Sequence, residues 1–251
     1  MEIIKDKFKI QEDQYRFPYH HLPYLDKNKN VVNHRSLSWG FKYFCYLLQT
    51  KELTEALNPD SVLDIGCGEG RFLGLLNHEI ERKVGVDLSE RPILFAKAFH
   101  PEIEFQAKDA ADLQETFDVV TAIEVLEHIP DEQITQFLST MYSRTKPGGH
   151  IIICVPTTVR ELSEKHYRHY DINKFRKQLA DSSLKLTEKK VEYVYHSPLW
   201  LNLYSKFTQN GLWIFEIKPL RNLVWKYIKK NLLITTPEQG EEMIIVLQKN
   251  L

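Results

Sequence analysis

The chain has 251 residues, 43% of them hydrophobic and 27% charged, with a formal net charge of -1. That length suits one α/β domain with a full core and some elaboration, and the composition excludes a disordered chain. A net charge so near zero supplies no global pull on nucleic acid, which is therefore not an expected partner, although a local basic patch stays open.

Cys45, Cys67 and Cys154 are odd in number and far apart, with no C-x-x-C spacing. They argue against a disulfide framework and a cysteine-built zinc site, and they suit a reducing compartment. Met1 to Lys9 alternates charge with aliphatics, unlike a signal peptide. No apolar run approaches the roughly 20 residues that span a bilayer. The expected location is the cytoplasm.

Residues 1–35 are polar and aromatic and read as an irregular arm. Leu37, Phe41, Phe44, Cys45 and Leu48 follow a helical period. Asn58-Pro59-Asp60 then breaks the chain before a short strand, Ser61 to Ile65. A helix begins over Phe72 to Leu76, and Lys83 to Asp87 is a second strand. Ser89 is placed to cap a helix carrying Ile93, Leu94 and Phe99. Ile103 to Ala107 and Phe117 to Ile123 are strands three and four. Ile134, Phe137, Leu138, Met141 and Tyr142 form one helical stripe, which Pro147-Gly148-Gly149 is expected to end. Ile151 to Val155 makes a fifth strand. This alternation predicts a parallel sheet covered on both faces. Beyond it come a helix marked by Ile172, Phe175 and Leu179, a strand over Leu184 to Tyr195, and a last strand over Glu242 to Gln248. An insertion rich in Trp, Tyr, Phe and Leu lies between those two strands.

The run Asp64-Ile65-Gly66-Cys67-Gly68-Glu69-Gly70 follows the first strand. Glycine lacks a Cβ and tolerates positive φ, so such a turn lets the backbone approach a ligand closely. In an open α/β sheet, ligands bind beyond the carboxyl ends of the strands. A dinucleotide fingerprint wants glycine or alanine where Arg71 stands, and no Gly-Lys-Ser/Thr follows for a P-loop. Asp87, at the end of the second strand, is a carboxylate suited to both hydroxyls of a ribose. Asp109-Ala110 after the third strand suits an adenine amino group and ring nitrogen. Asp64 is placed to hold an ammonium, directly or through water.

Val62-Leu63-Asp64-Ile65-Gly66-Cys67-Gly68-Glu69-Gly70, Val84-Gly85-Val86-Asp87, Lys108-Asp109-Ala110, Phe117-Asp118-Val119-Val120 and Lys146-Pro147-Gly148-Gly149 resemble, in order and spacing, the motifs of class I S-adenosylmethionine-dependent methyltransferases. The resemblance covers about residues 60 to 155. It implies a seven-stranded, mostly parallel sheet of order 3-2-1-4-5-7-6 with helices on both faces and a reversed final hairpin. It also implies S-adenosylmethionine as cofactor, held by Asp64, Gly66, Cys67, Gly68, Gly70, Asp87, Leu88, Asp109, Ala110 and Glu124. Residues 1–58 are then an arm and helix belonging to an acceptor cap. Residues 59–251 are the methyltransferase domain, with a helical insertion at about 197–240.

Methyl transfer to a hydroxyl requires alignment and removal of a proton. Glu124-Val125-Leu126-Glu127-His128-Ile129 follows strand four, where cofactor and acceptor meet. His128 is the candidate base, by its intrinsic pKa, and Glu127 its orienter; alternatively the pair only holds the loop. His166 and His169, after strand five, are candidate acceptor-side residues or packing residues. His20 and His21 are candidates for a lid. Glu124, Glu127, His128 and a histidine of His166-Tyr167-Arg168-His169 also have the spacing for a divalent ion. The small-RNA 3′-terminal 2′-O-methyltransferases and the ubiquinone-biosynthesis O-methyltransferases carry a similar Glu-x-x-Glu-His. No metal is assigned, and a divalent ion stays an alternative.

Lys218, Arg221, Lys226, Lys229 and Lys230 accompany Leu220, Leu223, Val224, Tyr227 and Ile228 in the insertion, with no acid between Ile217 and Asn231. Such a helix lies on an anionic membrane, grips a phosphorylated acceptor, or packs its apolar side on the domain. Trp200, Trp213 and Trp225 suit an acceptor pocket or a dimer contact. The expected function is O-methylation of a small-molecule, sugar or lipid-linked acceptor. The alternatives are a metal-assisted RNA 2′-O-methyltransferase and a non-catalytic cofactor-binding module.

Overall fold

The computed structural model describes residues 24, 25, 27–32 and 37–251. Most of the expected arm, including His20 and His21, lies outside the described residues. Tyr24–Leu25 and Val31–Val32 pair as a small antiparallel ribbon. A 3₁₀ turn at Leu37–Trp39 leads into α1 (Gly40–Glu55), which runs on past the expected Leu48 because no helix breaker precedes Asn58. Asn58, at φ 47°, then turns the chain in the left-handed region that asparagine tolerates.

The alternating core follows. Its elements are β1 (Ser61–Ile65), α2 (Arg71–Leu75), β2 (Arg82–Asp87), α3 (Glu90–Phe99) and β3 (Glu104–Ala107). Then come β4 (Phe117–Ile123), α4 (Ile134–Arg144), β5 (Thr145–Pro156) and α5 (Ile172–Asp181). The last part holds β6 (Leu186–Val194), α6 (Leu199–Thr208), α7 (Lys218–Asn231), β7 (Ile234–Thr235) and β8 (Glu242–Lys249).

The sheet order is β3-β2-β1-β4-β5-β8-β6-β7. Strands β1 to β5 pair in parallel. β8 inserts antiparallel between β5 and β6, which is the expected reversed hairpin. The sheet has eight strands where seven were expected. The extra one, β7, forms as the insertion returns along β6, with Tyr193 opposite Thr235 and Val194 opposite Ile234. Two further bonds carry that pairing on, from the amides of Tyr195 and His196 to the carbonyls of Leu233 and Leu232 (2.8 and 3.0 Å).

Alternate residues of the central strands feed two cores, as the two-residue period of a strand requires. Val62, Ile152 and Ile244 pack under α1, α3 and α7, whereas Leu63, Ile151 and Ile245 pack under α4 and α5. All five residues of β1 are buried, the mark of a parallel strand covered on both faces. Two local expectations need correction. Pro147-Gly148-Gly149 does not end α4, which stops at Arg144; these residues lie inside β5, where Gly148 takes φ 77° beside an irregular register. Ser89 occupies the N-cap position of α3, but its side chain makes no capping bond.

The stripe of α4 divides by depth: Ile134, Leu138 and Met141 are buried, and Phe137 and Tyr142 sit at its margins. Leu138→Ala should lower unfolding stability by about 2–5 kcal/mol, because the cavity adds to the lost transfer energy. Urea denaturation measures this, and an unchanged midpoint would contradict the packing described.

Candidate active site

The carboxyl ends of β1, β2, β3 and β4 open onto a cleft of ≈ 920 Å³. Its floor is the turn after β1. Gly66, Gly68 and Gly70 take φ of 74°, 54° and 75°. A Cβ on Gly66 would stand 2.5 Å from Val125, and one on Gly70 would stand 2.4 Å from Phe105. Glycine is needed there twice over, for conformation and for space. The amides of Gly66 and Cys67 both bond to the carbonyl of Val86 (2.7 and 3.0 Å), tying the turn to β2.

Asp87 is held in a fixed plane. Its Oδ2 accepts from the Gly68 amide (3.0 Å) and its Oδ1 from the Ser89 amide (2.9 Å). A carboxylate offers about four acceptor sites, so a fixed one still receives a pair of vicinal hydroxyls. Asp109 accepts from the Ala111 amide (2.9 Å), which turns the chain so that Asp109 and Ala110 border the cleft beside Leu88. Asp64 is buried, and its Oδ1 accepts from the Thr121 hydroxyl (2.7 Å). Burial pushes its carboxyl up to about 7, against the lowering effect of that hydrogen bond.

Just past β4 stands Glu124, a non-glycine residue at φ 56°. Such a conformation costs about 1–3 kcal/mol and persists where surrounding structure enforces it. Glu124 meets Arg160 (3.4 Å), which also donates to the fully buried Glu242 at 2.7 Å. Burial and the neighbouring Glu124 hold the carboxyls of both Glu127 and Glu242 well above the usual range. Both Glu127 oxygens are buried without a hydrogen-bond partner.

His128 Nδ1 lies 3.2 Å from the Lys165 carbonyl. A carbonyl only accepts, so Nδ1 carries the proton and Nε2 the lone pair. Nε2 stands 3.7 Å from Glu127 Oε1. The same reasoning orders a second pair. His169 Nδ1 donates to the Arg160 carbonyl (3.1 Å), so its Nε2 accepts from His166 Nδ1 (2.8 Å), leaving the lone pair of His166 on Nε2. The rings of His128 and His166 meet edge to face at 4.6 Å. Burial, first, and the neighbouring His128 push the His166 imidazole down to about 2. Glu127, His128 and His166 each offer a ligand atom, all within 4.8 Å of one another.

The cleft therefore gathers Asp64, Gly66, Cys67, Gly68, Asp87, Leu88, Asp109, Ala110 and Glu124 on one side and Glu127, His128 and His166 on the other. Gly70 lies just behind it at the start of α2, and His169 supports His166 from outside the cleft wall. Several lining residues went unnoticed in the sequence. Lys42, Tyr43 and Tyr46 come from α1, and the Tyr43 hydroxyl donates to Glu69 (3.1 Å). Arg160, from the segment after β5, also lines the cleft and ties it to Glu242 at the head of β8, which does not itself line it. The one available signal was a charged residue at the head of an otherwise apolar strand, in Glu242.

A glycine turn with acids at successive strand ends defines a nucleoside-type cofactor cleft on a class I methyltransferase sheet. A methyltransferase domain profile matches residues 38–225. The chain belongs to that methyltransferase family. It is 33% identical to a ubiquinone biosynthesis O-methyltransferase of Pseudomonas entomophila over 104 residues, 38% of this chain and 44% of the other. The chain spans less than half the length of the curated relatives it matches. A SAM-dependent methyltransferase from Archaeoglobus fulgidus superposes with a TM-score of 0.56 at 20% identity, covering 83% of this chain and 94% of that one. Magnesium protoporphyrin IX methyltransferase from Synechocystis superposes with a TM-score of 0.57 at 15% identity, covering 87% and 86%.

The residues present fit S-adenosylmethionine. The close-approach glycine turn, the fixed Asp87 carboxylate and the buried Asp64 acid match its ribose and ammonium. Asp87→Ala should abolish binding of S-adenosylhomocysteine in calorimetry, and unchanged affinity would overturn the assignment. An ammonium placed against Asp64 would need the anion, which is present above pH about 7 and lost below it. Affinity should thus fall as pH drops through 7, by up to about tenfold per unit. Asp64→Asn should bind weakly with a flat profile over that range; a wild-type profile flat from pH 8 to 6 would contradict the role.

Proposed function

We propose that the protein transfers the methyl group of S-adenosylmethionine to a hydroxyl oxygen of a small-molecule, sugar or lipid-linked acceptor, with His128 as general base. The observation that carries this is the 3.2 Å contact of His128 Nδ1 with the Lys165 carbonyl, which accepts from Nδ1–H and leaves the Nε2 lone pair in the cleft wall. The similarity to an enzyme named as an O-methyltransferase supports the oxygen acceptor.

S-adenosylmethionine supplies a methyl carbon already activated by its sulfonium. The protein's own residues have two tasks. The first is alignment, because in-line displacement needs the acceptor oxygen held at roughly 3–3.5 Å from the methyl carbon. The second is taking the hydroxyl proton on His128 Nε2 as the oxygen bonds to carbon. The Glu127 carboxyl, 3.7 Å from Nε2 and held toward its neutral form by burial, orients the ring. His166 and His169 position the His128 ring through their shared hydrogen bond and the edge-to-face contact. His128→Ala should lower turnover by about 10²- to 10⁴-fold with S-adenosylhomocysteine affinity intact. Transfer of labelled methyl to a panel of phenolic and sugar acceptors measures this. Near-normal turnover removes the base, and no transfer by the wild type to any acceptor favours a non-catalytic binding module.

A second reading has its own observation. Glu127, His128 and His166 present a carboxylate and two imidazole lone pairs within 4.8 Å, and outer partners fix both histidine tautomers. Those donors suit a divalent cation that would hold the acceptor oxygen. Under this reading a chelator abolishes methyl transfer, and magnesium, manganese or zinc restores it. Under the base reading a chelator changes nothing.

A further inference from the structure

The insertion leaves a large apolar surface exposed among the described residues. On α6, Leu199, Trp200, Leu203 and Phe207 form one exposed stripe, opposite the buried Leu201 and Thr208. On α7, Val224 and Ile228 face the core, whereas Leu220, Leu223 and Tyr227 are exposed on the flank of that face. Trp200 and Tyr227 meet edge to face at 5.4 Å, joining the two stripes. Phe207 and Phe215 meet at 5.7 Å and join them to the connecting segment, where Leu212 is 87% exposed. Soluble proteins rarely leave contiguous apolar surface of this kind without a partner.

Charge distinguishes among partners. Lys218, Lys226, Lys229 and Lys230 are exposed on α7, and Lys206 is exposed on α6. No acid lies between Ile217 and Asn231. At 100° per residue, Lys226 and Lys230 fall beside the Leu220–Leu223–Tyr227 stripe, on the side away from the core. The nearest acid, Glu216, accepts from the Leu37 amide (2.8 Å) and pairs with Arg221 (3.6 Å). An apolar, aromatic stripe rimmed by lysine is the pattern that settles into the headgroup layer of an anionic bilayer. A second copy of the same patch would set like charges against each other. No helix among the described residues is long and apolar enough to cross a membrane.

We propose that α6, α7 and the segment between them dock the protein on the surface of an anionic lipid bilayer. The docking surface connects physically to the cleft. Trp225 of α7 and Tyr204 of α6 stack on Phe41 of α1 at 5.9 and 6.3 Å, and the neighbouring Lys42 and Tyr43 line the cleft.

Flotation of the full chain with vesicles tests this. Binding should be strong with phosphatidylcholine vesicles containing about one-third phosphatidylglycerol, weak with phosphatidylcholine alone, and reduced by added salt. The emission of Trp200 and Trp213 should shift to the blue on binding. Lys206→Gln, Lys226→Gln and Lys230→Gln together should weaken partitioning roughly 100-fold. Leu212→Asp with Leu223→Asp should abolish it while S-adenosylhomocysteine affinity stays normal. If that double variant misfolds, the lysine variant decides, because it alters only exposed side chains. Equal binding to both vesicle types, unchanged binding by the lysine variant, or a dimer in sedimentation that Leu212→Asp disrupts would overturn the proposal.

Discussion

A strand buried on both faces must end somewhere, and how β1 ends determines what the sheet can bind. The chain leaves β1 through glycines 66, 68 and 70, all with φ in the left-handed region. Any side chain at 66 or 70 would collide with Val125 or Phe105. The turn consequently lies flat against β2, its amides bonded to Val86 and Asp87. That contact places Asp87 and creates the crevice into which Asp64, Asp109 and Glu124 also project. The shape of the crevice depends on this backbone reversal.

The wall that carries Glu127 and His128 rests on a different device, the concentration of buried acid. Glu124 and Glu242 both pair with the Arg160 guanidinium, Glu242 also lies 4.0 Å from Lys42 Nζ, and Glu127 is fully buried near Glu124. Burial and the neighbouring Glu124 outweigh the nearby cations, so Glu127 and Glu242 are held toward their neutral forms. Histidine behaves in the complementary way: burial and His128 suppress His166, while His128 keeps a lone pair directed by the Lys165 carbonyl. Neutral buried acids beside a positioned imidazole form a site that can take up one proton, or one cation, without rearranging its frame.

Much of this was legible in the sequence for a physical reason. Strand ends in a parallel sheet converge on one edge, so acids and glycines at those ends share a site even when far apart in the chain. Asp64, Asp87, Asp109 and the Glu127–His128 pair obey that rule. The elements that escaped obey others. α1 looked like a packing helix from Phe41 and Cys45, but Lys42, Tyr43 and Tyr46 on its other side wall the cleft. Pro147-Gly148-Gly149 resembled a helix stop yet sits in β5, at the register irregularity between the Phe117–Thr145 and Val119–His150 pairs, where Gly148 takes φ 77°. The eighth strand arises only from the return path of the insertion along β6, which no local pattern encodes.

The insertion ties these parts together, since α6 and α7 stack on the same Phe41 whose helix walls the cleft. The central claim concerns the orientation of the cofactor across the glycine turn, and a crystal structure with bound S-adenosylhomocysteine tests it most directly. Its ribose hydroxyls should lie on Asp87, its ammonium near Asp64, and its sulfur should point toward Glu127 and His128. A sulfur directed away from His128, or a ribose remote from Asp87, would contradict the account.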